Sequence, residues 1–337
     1  MINTIWFIVL AFMLAGYAVL DGFDLGVGTL HLWLGRNRRE RASLIDAIGP
    51  VWNGNEVWLI AAGGSMVVAF PHLYASAFSG FYLALMLVLW LLLLRGLGIE
   101  FRHQIDTEMW THAWDVVFCF ASALLALLFG VALGNVLRGL PLDAEGEFRG
   151  TFALLLNPFS ILGGLLSVAV LSMHGAAWTA LKTIGELQSR ARRFHRALWT
   201  VSMTLLAAMI AASFVVRPDF TRNFVERPWL LLFPLAALSA AGAIRIYGHR
   251  HDDLRTFLAT GAFIAGTLAS VAAGLYPELL PARPGSAHPG LDIYNSASPE
   301  GSLRIALGIY LFGLTLVSVY LVNIYRIWSG KVTDVYH

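Results

Sequence analysis

The chain has 337 residues, of which 58% are hydrophobic and 13% are charged, and its formal net charge is +2. Soluble domains carry about 25% charged residues, so this composition and a mean hydropathy of +0.68 indicate a membrane protein. A charge this small forms no basic stripe for nucleic-acid binding, and the single cysteine, Cys119, excludes a disulfide framework. The first apolar run contains acids and has no basic preface, so we expect no cleavable signal peptide.

Apolar segments of membrane-spanning length predict an all-α polytopic membrane protein with about nine transmembrane helices. The second segment is short and partly polar at its start. A proline-rich stretch, 277–303, is predicted to be an extramembrane excursion. The predicted spans are residues 5–33, 55–71, 74–96, 114–137, 155–179, 197–216, 229–247, 256–276 and 304–327.

The Lys and Arg residues of the loops predict the orientation. One set of alternate loops holds 16 of them and the opposite set holds 7. By the positive-inside rule the richer set is cytoplasmic. We therefore expect a periplasmic amino terminus and a cytoplasmic carboxy terminus, which agrees with an odd number of spans.

The predicted spans fall into two groups of four. Residues 1–137 and 155–276 each hold four spans, and an arginine-rich turn follows the first helix of each group. We interpret this pattern as two four-helix bundles related by a distant duplication. The segment 304–327 is then an additional C-terminal transmembrane helix.

The first predicted helix carries two acids in its cytoplasmic half. Their i,i+3 spacing puts Asp21 and Asp24 on one face, and Gly22 and Gly26 form a pair of small residues that lets a neighbouring helix come close. An acid inside a bilayer is costly. Two interpretations stay open, namely hydrogen bonding within a tight bundle and the handling of protons or cations.

Three further acids are predicted at the same cytoplasmic level. Glu56 lies just inside the second span, Glu100 leaves the third, and Asp115 opens the fourth. Arg95 and Arg102 are available as partners, so buried ion pairs that fix helix register are one interpretation. A proton uptake route is the other. Further polar residues near these acids are Tyr17, Asn53, Asn55 and His103.

The histidines predict that this chain carries no haem. A b-type haem within a bilayer needs axial ligands, commonly two facing histidines. Most of the ten histidines lie at span ends or in loops, and His174 alone lies well inside a span. The sequence also contains no metal-binding, phosphate-binding or nucleophile motif, so we assign no metal ligand and no catalytic residue.

Several motifs resemble subunit II of cytochrome bd-type quinol oxidases. They are Leu-Asp-Gly-Phe-Asp-Leu-Gly-Val-Gly (20–28), Gly-Pro-Val-Trp-Asn-Gly-Asn-Glu-Val-Trp-Leu (49–59) and Phe-Ser-Gly-Phe-Tyr (78–82). Leu-Leu-Asn-Pro-Phe (155–159) and Thr-Ile-Gly-Glu-Leu (183–187) follow in the matching order. The resemblance covers essentially the whole chain and is strongest over the first hundred residues.

The resemblance implies a subunit without a redox centre of its own in the bacterial cytoplasmic (inner) membrane. Its partner, subunit I, would hold haem b, haem d (or a third haem b) and the quinol site, and the complex would oxidise quinol and reduce dioxygen to water. Subunit II would stabilise the complex and contribute to proton and oxygen access. A small single-span subunit and a structural quinone or lipid are compatible with the resemblance, and no nucleic acid is expected.

The resemblance also assigns roles to residues, with one departure. The family has an aspartate where this chain has Asn53, which cannot take up a proton as an acid. Glu56, one helical turn along, could supply the carboxylate. Alternatively the path runs differently, or the chain belongs to a divergent branch. Trp58 matches a tryptophan near the family's lateral oxygen entrance. The candidate proton-pathway residues are Glu100, Glu56, Asp21, Asp24, Asn53 and His103.

Two rival functions are a secondary transporter and a non-catalytic scaffold subunit. A transporter predicts discontinuous helices that meet near the membrane midplane with polar substrate ligands. The acids are instead predicted at the cytoplasmic end, which favours the oxidase. A scaffold subunit is hard to distinguish from an oxidase subunit that conducts protons. In a scaffold, replacing the acids would lower the yield of the complex and leave its turnover unchanged.

Overall fold

The computed structural model describes residues 1–332, which form helices joined by short loops and one two-stranded sheet. The α-helices are α1 Ile2–Leu34, α2 Arg38–Asp46, α3 Trp52–Ala69, α4 Pro71–Gly80, α5 Tyr82–Phe101, α6 Glu108–Arg138, α7 Phe152–Leu155, α8 Pro158–Lys182, α9 Gly185–Val216, α10 Arg222–Glu226, α11 Leu232–His249, α12 Asp253–Leu275 and α13 Glu300–Ile327. The strands are β1 Glu278–Pro281 and β2 Gly290–Asp292, and two 3-10 turns lie at Pro218–Thr221 and Pro228–Leu231.

The predicted class, an all-α polytopic membrane protein, is confirmed. Within the described residues, eight helices are long and apolar enough to cross a membrane, namely α1, α5, α6, α8, α9, α11, α12 and α13. The second predicted span is α3, which has 18 residues and falls outside that group. The polar residues of its first two turns, Asn53, Asn55 and Glu56, lower its hydropathy.

Two predicted spans differ from the observed helices. The segment predicted as 74–96 is divided, because the chain leaves the helix at Phe81 between α4 and α5. Helix α9 begins at Gly185, before the predicted start at 197, because ion pairs stabilise its polar first turns. Arg190 donates to Glu40 at 2.8 Å and thereby holds the pKa of that carboxyl below its usual range. A hydropathy pattern detects only the apolar part of such a helix.

The first turn of α8 is stabilised by Asn157 and Pro158, three residues after the predicted start of the span at 155. The side chain of Asn157 accepts a hydrogen bond from the Ser160 amide at 3.1 Å, which satisfies one of the free donors of the first turn. Pro158 occupies the first helical turn, where a missing N–H is tolerated. The Asn157 amide also donates to Asn135 of α6 at 3.0 Å, so this helix start is tied to the preceding helix.

Glycines bring α1 and α8 into very close contact. A Cβ atom at Gly26 would lie 1.9 Å from the carbonyl oxygen of Leu171, and one at Gly175 would lie 2.3 Å from the carbonyl carbon of Gly26. A Cβ at Gly22 would lie 2.9 Å from Leu171. The predicted close approach at Gly22 and Gly26 is therefore confirmed, and α8 is the helix that approaches. Helix α1 also packs against α3, α6 and α12, so the two predicted four-helix bundles share a broad interface. Their description as two domains stays a prediction.

Replacing Gly26 with alanine is expected to destabilise the protein by about 1–3 kcal/mol, the usual cost of overpacking. The new methyl group would collide with backbone, which cannot rotate away as a side chain can. Gly242→Ala is the matched control, since a Cβ there meets no atom within 4 Å. Thermal melting of the assembled protein in detergent would measure the difference. Equal melting temperatures for the two variants would contradict the tight crossing.

The predicted extramembrane stretch closes one end of the helices. Strands β1 and β2 pair antiparallel, and buried Leu280, Leu291 and Leu303 pack with Trp6 at the start of α1. The Trp6 indole donates to the Leu303 carbonyl at 3.1 Å. The acids of α1 lie toward the opposite end of the helices, because Asp21 is four turns further along.

Candidate functional site

A buried arginine joins acids from two other helices. Arg95 of α5 is 1% exposed, and its Nη1 donates to both carboxylate oxygens of Asp21, at 2.7 and 2.8 Å. Its Nη2 lies 3.6 Å from Oε1 of Glu56. Asp21 is fully buried, whereas the Glu56 side chain is 21% exposed. Two buried charges of opposite sign compensate each other's loss of hydration only when they stay paired.

A second chain of hydrogen bonds connects α1 to the last helix. Asn55 donates to Oδ2 of Asp24 at 2.8 Å, and the Tyr325 hydroxyl of α13 donates to Oδ1 of Asn55 at 2.9 Å. The other carboxylate oxygen of Asp24, Oδ1, is buried and has no hydrogen-bond partner among residues 1–332. We call the residues of these two groups the central cluster, which consists of Asp21, Asp24, Asn55, Glu56, Arg95 and Tyr325.

A further group of charges lies near the ends of α1, α5 and α6. Oδ1 of Asp115 accepts from Arg102 Nε and from His31 Nε2, both at 2.7 Å. Oδ2 of Asp115 accepts from Arg41 at 3.3 Å, and Arg41 also lies 3.2 Å from Nδ1 of the exposed His112. We call these five residues the helix-end cluster. Asp115 does not open its helix as predicted, because α6 already begins at Glu108.

The structure brings three of the six candidate proton-pathway residues together. Asp21, Asp24 and Glu56 lie in the central cluster. Asn53 and Glu100 are instead exposed, in the first turn of α3 and the last turn of α5. His103 is also exposed, just after α5, where desolvation and then Arg102 and Arg38 lower its pKa below the usual range. Trp52 lies against Gly96, so the start of α3 adjoins the second half of α5.

The sequence patterns do not single out His31 or Tyr325. His31 lies near the end of a predicted span, yet in the structure it is fully buried and bonded to Asp115. Its signal was the spacing of seven residues from Asp24, which places both on one face of a helix. Tyr325 had no local signal, since it is 270 residues from Asn55 in the chain.

Trp58, the predicted oxygen-access residue, is enclosed by α1. It is 7% exposed, and a Cβ atom at Gly16 would lie 2.4 Å from its ring. Phe12 contacts the indole edge-on with 5.6 Å between ring centroids. The indole therefore occupies a notch that the glycine leaves on α1.

The buried histidines of the second half are held by protein groups. His174 donates from Nε2 to the Val19 carbonyl at 3.0 Å, and its Nδ1 lies 2.6 Å from the Thr260 hydroxyl. Nδ1 of His195 bonds the Met173 carbonyl at 3.1 Å. Both ring nitrogens of His174 are thus engaged. The described residues contain no group of three or more metal-ligating side chains.

The family model of cytochrome bd terminal oxidase subunit II matches residues 2–328 of this chain. The chain belongs to this family. The resemblance found in the motifs is therefore confirmed, and the chain is a subunit of a terminal oxidase. As subunit II of a cytochrome complex it works with a partner subunit in a haem-containing assembly, and its apolar helices make it an integral membrane protein.

Curated relatives match this subunit II along nearly their whole length. The chain is 35% identical to "Probable cytochrome oxidase subunit 2" of Haemophilus influenzae, covering 96% of this chain and 92% of the relative. It is 34% identical to "Cytochrome bd ubiquinol oxidase subunit 2" of Bacillus subtilis, covering 97% and 94%. It is 32% identical to "Cytochrome bd-I ubiquinol oxidase subunit 2" of Escherichia coli K12, covering 98% and 94%.

A solved structure shares the fold of this subunit II. The bd oxidase from Geobacillus thermodenitrificans contains a chain that matches with a TM-score of 0.79 at 19% identity. The match covers 97% of this chain and 98% of that one. The arrangement of helices described above is therefore a known fold of bd oxidases.

Proposed function

We propose that this chain is the haem-free subunit II of a bd-type quinol:oxygen oxidoreductase. It stabilises the haem-bearing subunit I and gives protons and dioxygen access to the site where dioxygen is reduced to water. Membership of the family supports the assignment, and the relatives from Bacillus subtilis and Escherichia coli are named as subunits of ubiquinol oxidases. A small single-span subunit and a structural quinone or lipid stay predictions from the resemblance.

The environment of the histidines supports a subunit that ligates no haem. An axial ligand must present a free ring nitrogen to the iron. His174 has both nitrogens engaged and its ring stacks on Phe257 with 4.8 Å between centroids. When haem is bound by subunit I, it supplies the electron transfer and the oxygen chemistry, and this chain supplies packing and access.

The observation that carries the proton-access proposal is the charge balance of the central cluster. The cluster holds three carboxyl groups, those of Asp21, Asp24 and Glu56, and one guanidinium, that of Arg95. Arg95 bonds Asp21 and lies 3.6 Å from Glu56, whereas Asp24 is bonded to Asn55. Asp21 is bonded to Arg95 through both oxygens and serves as its counterion. An excess of negative charge is costly within a bilayer, so the cluster favours holding protons on the other two carboxyls. Because Glu56 is partly exposed, it can pass protons between the surface of the helix group and the buried carboxyl groups of the cluster.

The orientation of the chain follows from its loop charges. The positive-inside rule places the carboxy terminus and the loops rich in Lys and Arg in the cytoplasm. The helix-end cluster, with Arg41 and Arg102, then lies at the cytoplasmic side, and the β1–β2 hairpin lies at the periplasmic side. Protons would therefore reach the central cluster from the cytoplasm. Trp58, in its notch on α1, is our candidate for lateral oxygen access.

A pair of glutamine variants tests whether these carboxylates move protons or only hold the structure. In the assembled oxidase, Glu56→Gln is expected to lower oxygen uptake per haem at least about tenfold, within the range that positioned proton-transfer groups contribute. The amide keeps the size of the side chain and an oxygen for Arg95, so haem content should stay normal. Glu100→Gln tests the residue that the resemblance assigns. Full turnover in both well-assembled variants would overturn the proton-access proposal. A lower yield of complex with unchanged turnover per haem would favour the scaffold instead.

A further inference from the structure

One face of α1 carries polar or glycine residues at regular helical spacing. The positions are Tyr17, Asp21, Asp24, Gly28 and His31, each three or four residues from the last, so they lie above one another along the helix. Asp21 and Asp24 belong to the central cluster, and His31 belongs to the helix-end cluster. The face therefore runs from one charged group to the other.

Several buried polar atoms along this face have no hydrogen-bond partner among the described residues. Three of them lie between the central cluster and the helix-end cluster, on residues at most 1% exposed, namely Oδ1 of Asp24, Oγ of Ser122 in α6 and Nδ1 of His31. The Tyr17 hydroxyl and two nitrogens of Arg95 are the others. A buried polar atom without a hydrogen-bond partner destabilises the folded protein. Internal waters commonly bond such groups in globular proteins. Three such atoms in succession along one helix face indicate a row of bound internal waters.

Ser122 occupies the gap between the other two. A Cβ atom at Gly28 would lie 2.1 Å from its hydroxyl oxygen, so this hydroxyl fills the space that a side chain at position 28 would take. Asp24 and His31 are separated by about 10 Å along the helix axis, at 1.5 Å per residue. With hydrogen bonds of about 2.8 Å, a few waters on either side of Ser122 would be enough to bridge this distance. Phe118, edge-on to His31 with 5.2 Å between centroids, forms an apolar wall beside the line.

The bond to Asp115 determines which nitrogen of His31 faces the line. A carboxylate only accepts hydrogen bonds, so Nε2 of His31 carries a proton and donates it to Asp115 at 2.7 Å. In the neutral ring, Nδ1 is then an acceptor. The protonated ring would be stabilised by Asp115, and Nδ1 would become a donor. His31 is therefore held in the orientation that lets it exchange a proton at Nδ1.

We infer that Asp24, Ser122 and His31 bind a file of internal waters through which His31 and Asp24 exchange a proton. A proton that leaves Nδ1 of His31 passes to the adjacent water and, by successive transfers past Ser122, reaches Oδ1 of Asp24. His31 returns to its neutral form, still bonded to Asp115. This inference rests on the proposed function, since it gives the central cluster a proton donor inside the same subunit.

The test uses the assembled oxidase with Ser122→Ala and His31→Gln. Ser122→Ala removes one oxygen atom and interrupts the file, and the glutamine amide can still donate to Asp115 but cannot carry a proton. We expect normal haem content, oxygen uptake reduced at least about tenfold, and a larger effect of D2O on turnover, because proton transfer becomes rate-limiting. A purely structural role would not raise the isotope effect. Ser202→Ala is the matched control, since Ser202 of α9 is equally buried and its hydroxyl also lacks a described partner.

The outcomes separate this inference from the proposed function. Parental turnover and isotope effect in both variants, with slow turnover in Glu56→Gln, would overturn the water file and leave the proton-access function standing. Parental turnover in all three would overturn both. An equal loss of turnover in Ser202→Ala would also overturn the water file, since the effect would then follow from removing any buried hydroxyl.

Discussion

Membranes from cells that express the Arg95→Leu variant should contain almost no assembled oxidase. Arg95 compensates the charge of Asp21, which is fully buried, and removing one partner of a buried ion pair costs about 3–5 kcal/mol. That loss is a large part of the free energy of unfolding of a typical domain, which is about 5–15 kcal/mol. The haem content of solubilised membranes, compared with the amount of this chain by immunoblot, would measure assembly.

A double variant makes this expectation specific to the ion pair. Asp21→Leu combined with Arg95→Leu removes both charges together, and apolar replacement of a buried pair is often neutral or stabilising. We expect it to restore much of the assembly. Arg304→Leu is the control, because its pair with Glu300 is exposed to solvent and contributes little to stability. Normal assembly of the single variant Arg95→Leu would contradict the buried pair.

Asp24→Asn is expected to cause a strong loss of activity without loss of assembly. The new amide retains an oxygen that accepts from Asn55, whose donated hydrogen bond is 2.8 Å long. It cannot bind or release a proton at Oδ1. Oxygen uptake per haem should therefore fall at least about tenfold, as for other groups that transfer protons. The measurement is quinol-dependent oxygen consumption by the purified complex.

Asp106→Asn is the comparison for this variant, since that carboxylate is 87% exposed and lies in the loop before α6. Its turnover should equal that of the parent. If Asp24→Asn also turned over normally, with normal haem content, Asp24 would have only a structural role in the central cluster.

Much of the fold could be predicted because apolar runs report membrane spans directly. The motif around Asp21 and Asp24 also predicted a close helix neighbour, and Gly22 and Gly26 have one in α8. The polar start of α9 could not be predicted in this way. Its stability depends on ion pairs such as Arg192 with Asp253, which are 61 residues apart in sequence and adjacent only in the folded chain.

Part of the candidate site could be predicted from the charges in the apolar segments. A buried acid needs a cation, so Arg95 and Arg102 were natural partners, and each does bond an acid, Asp21 and Asp115 respectively. Ser122 gave no signal, because a serine within an apolar helix is common and becomes informative only when Gly28 faces it. The sequence also does not show which acidic side chains are exposed to solvent. Glu56 and Glu100 both lie near a helix end in the sequence, but the geometry of α3 and α5 places only Glu56 beside Arg95.

The bond between Tyr325 and Asn55 has a consequence for the order of biosynthesis. Domains generally fold from the amino terminus as the chain is made. Helices α1, α3 and α5 can bring Asp21, Asp24 and Arg95 together while the ribosome is still translating. The hydroxyl that fixes the Asn55 amide arrives only with α13, since Tyr325 follows Asn55 by 270 residues. The cluster is therefore completed only once α13 has been inserted, and a nascent chain that stops before α13 presents Asn55 to the membrane with one hydrogen bond unmade.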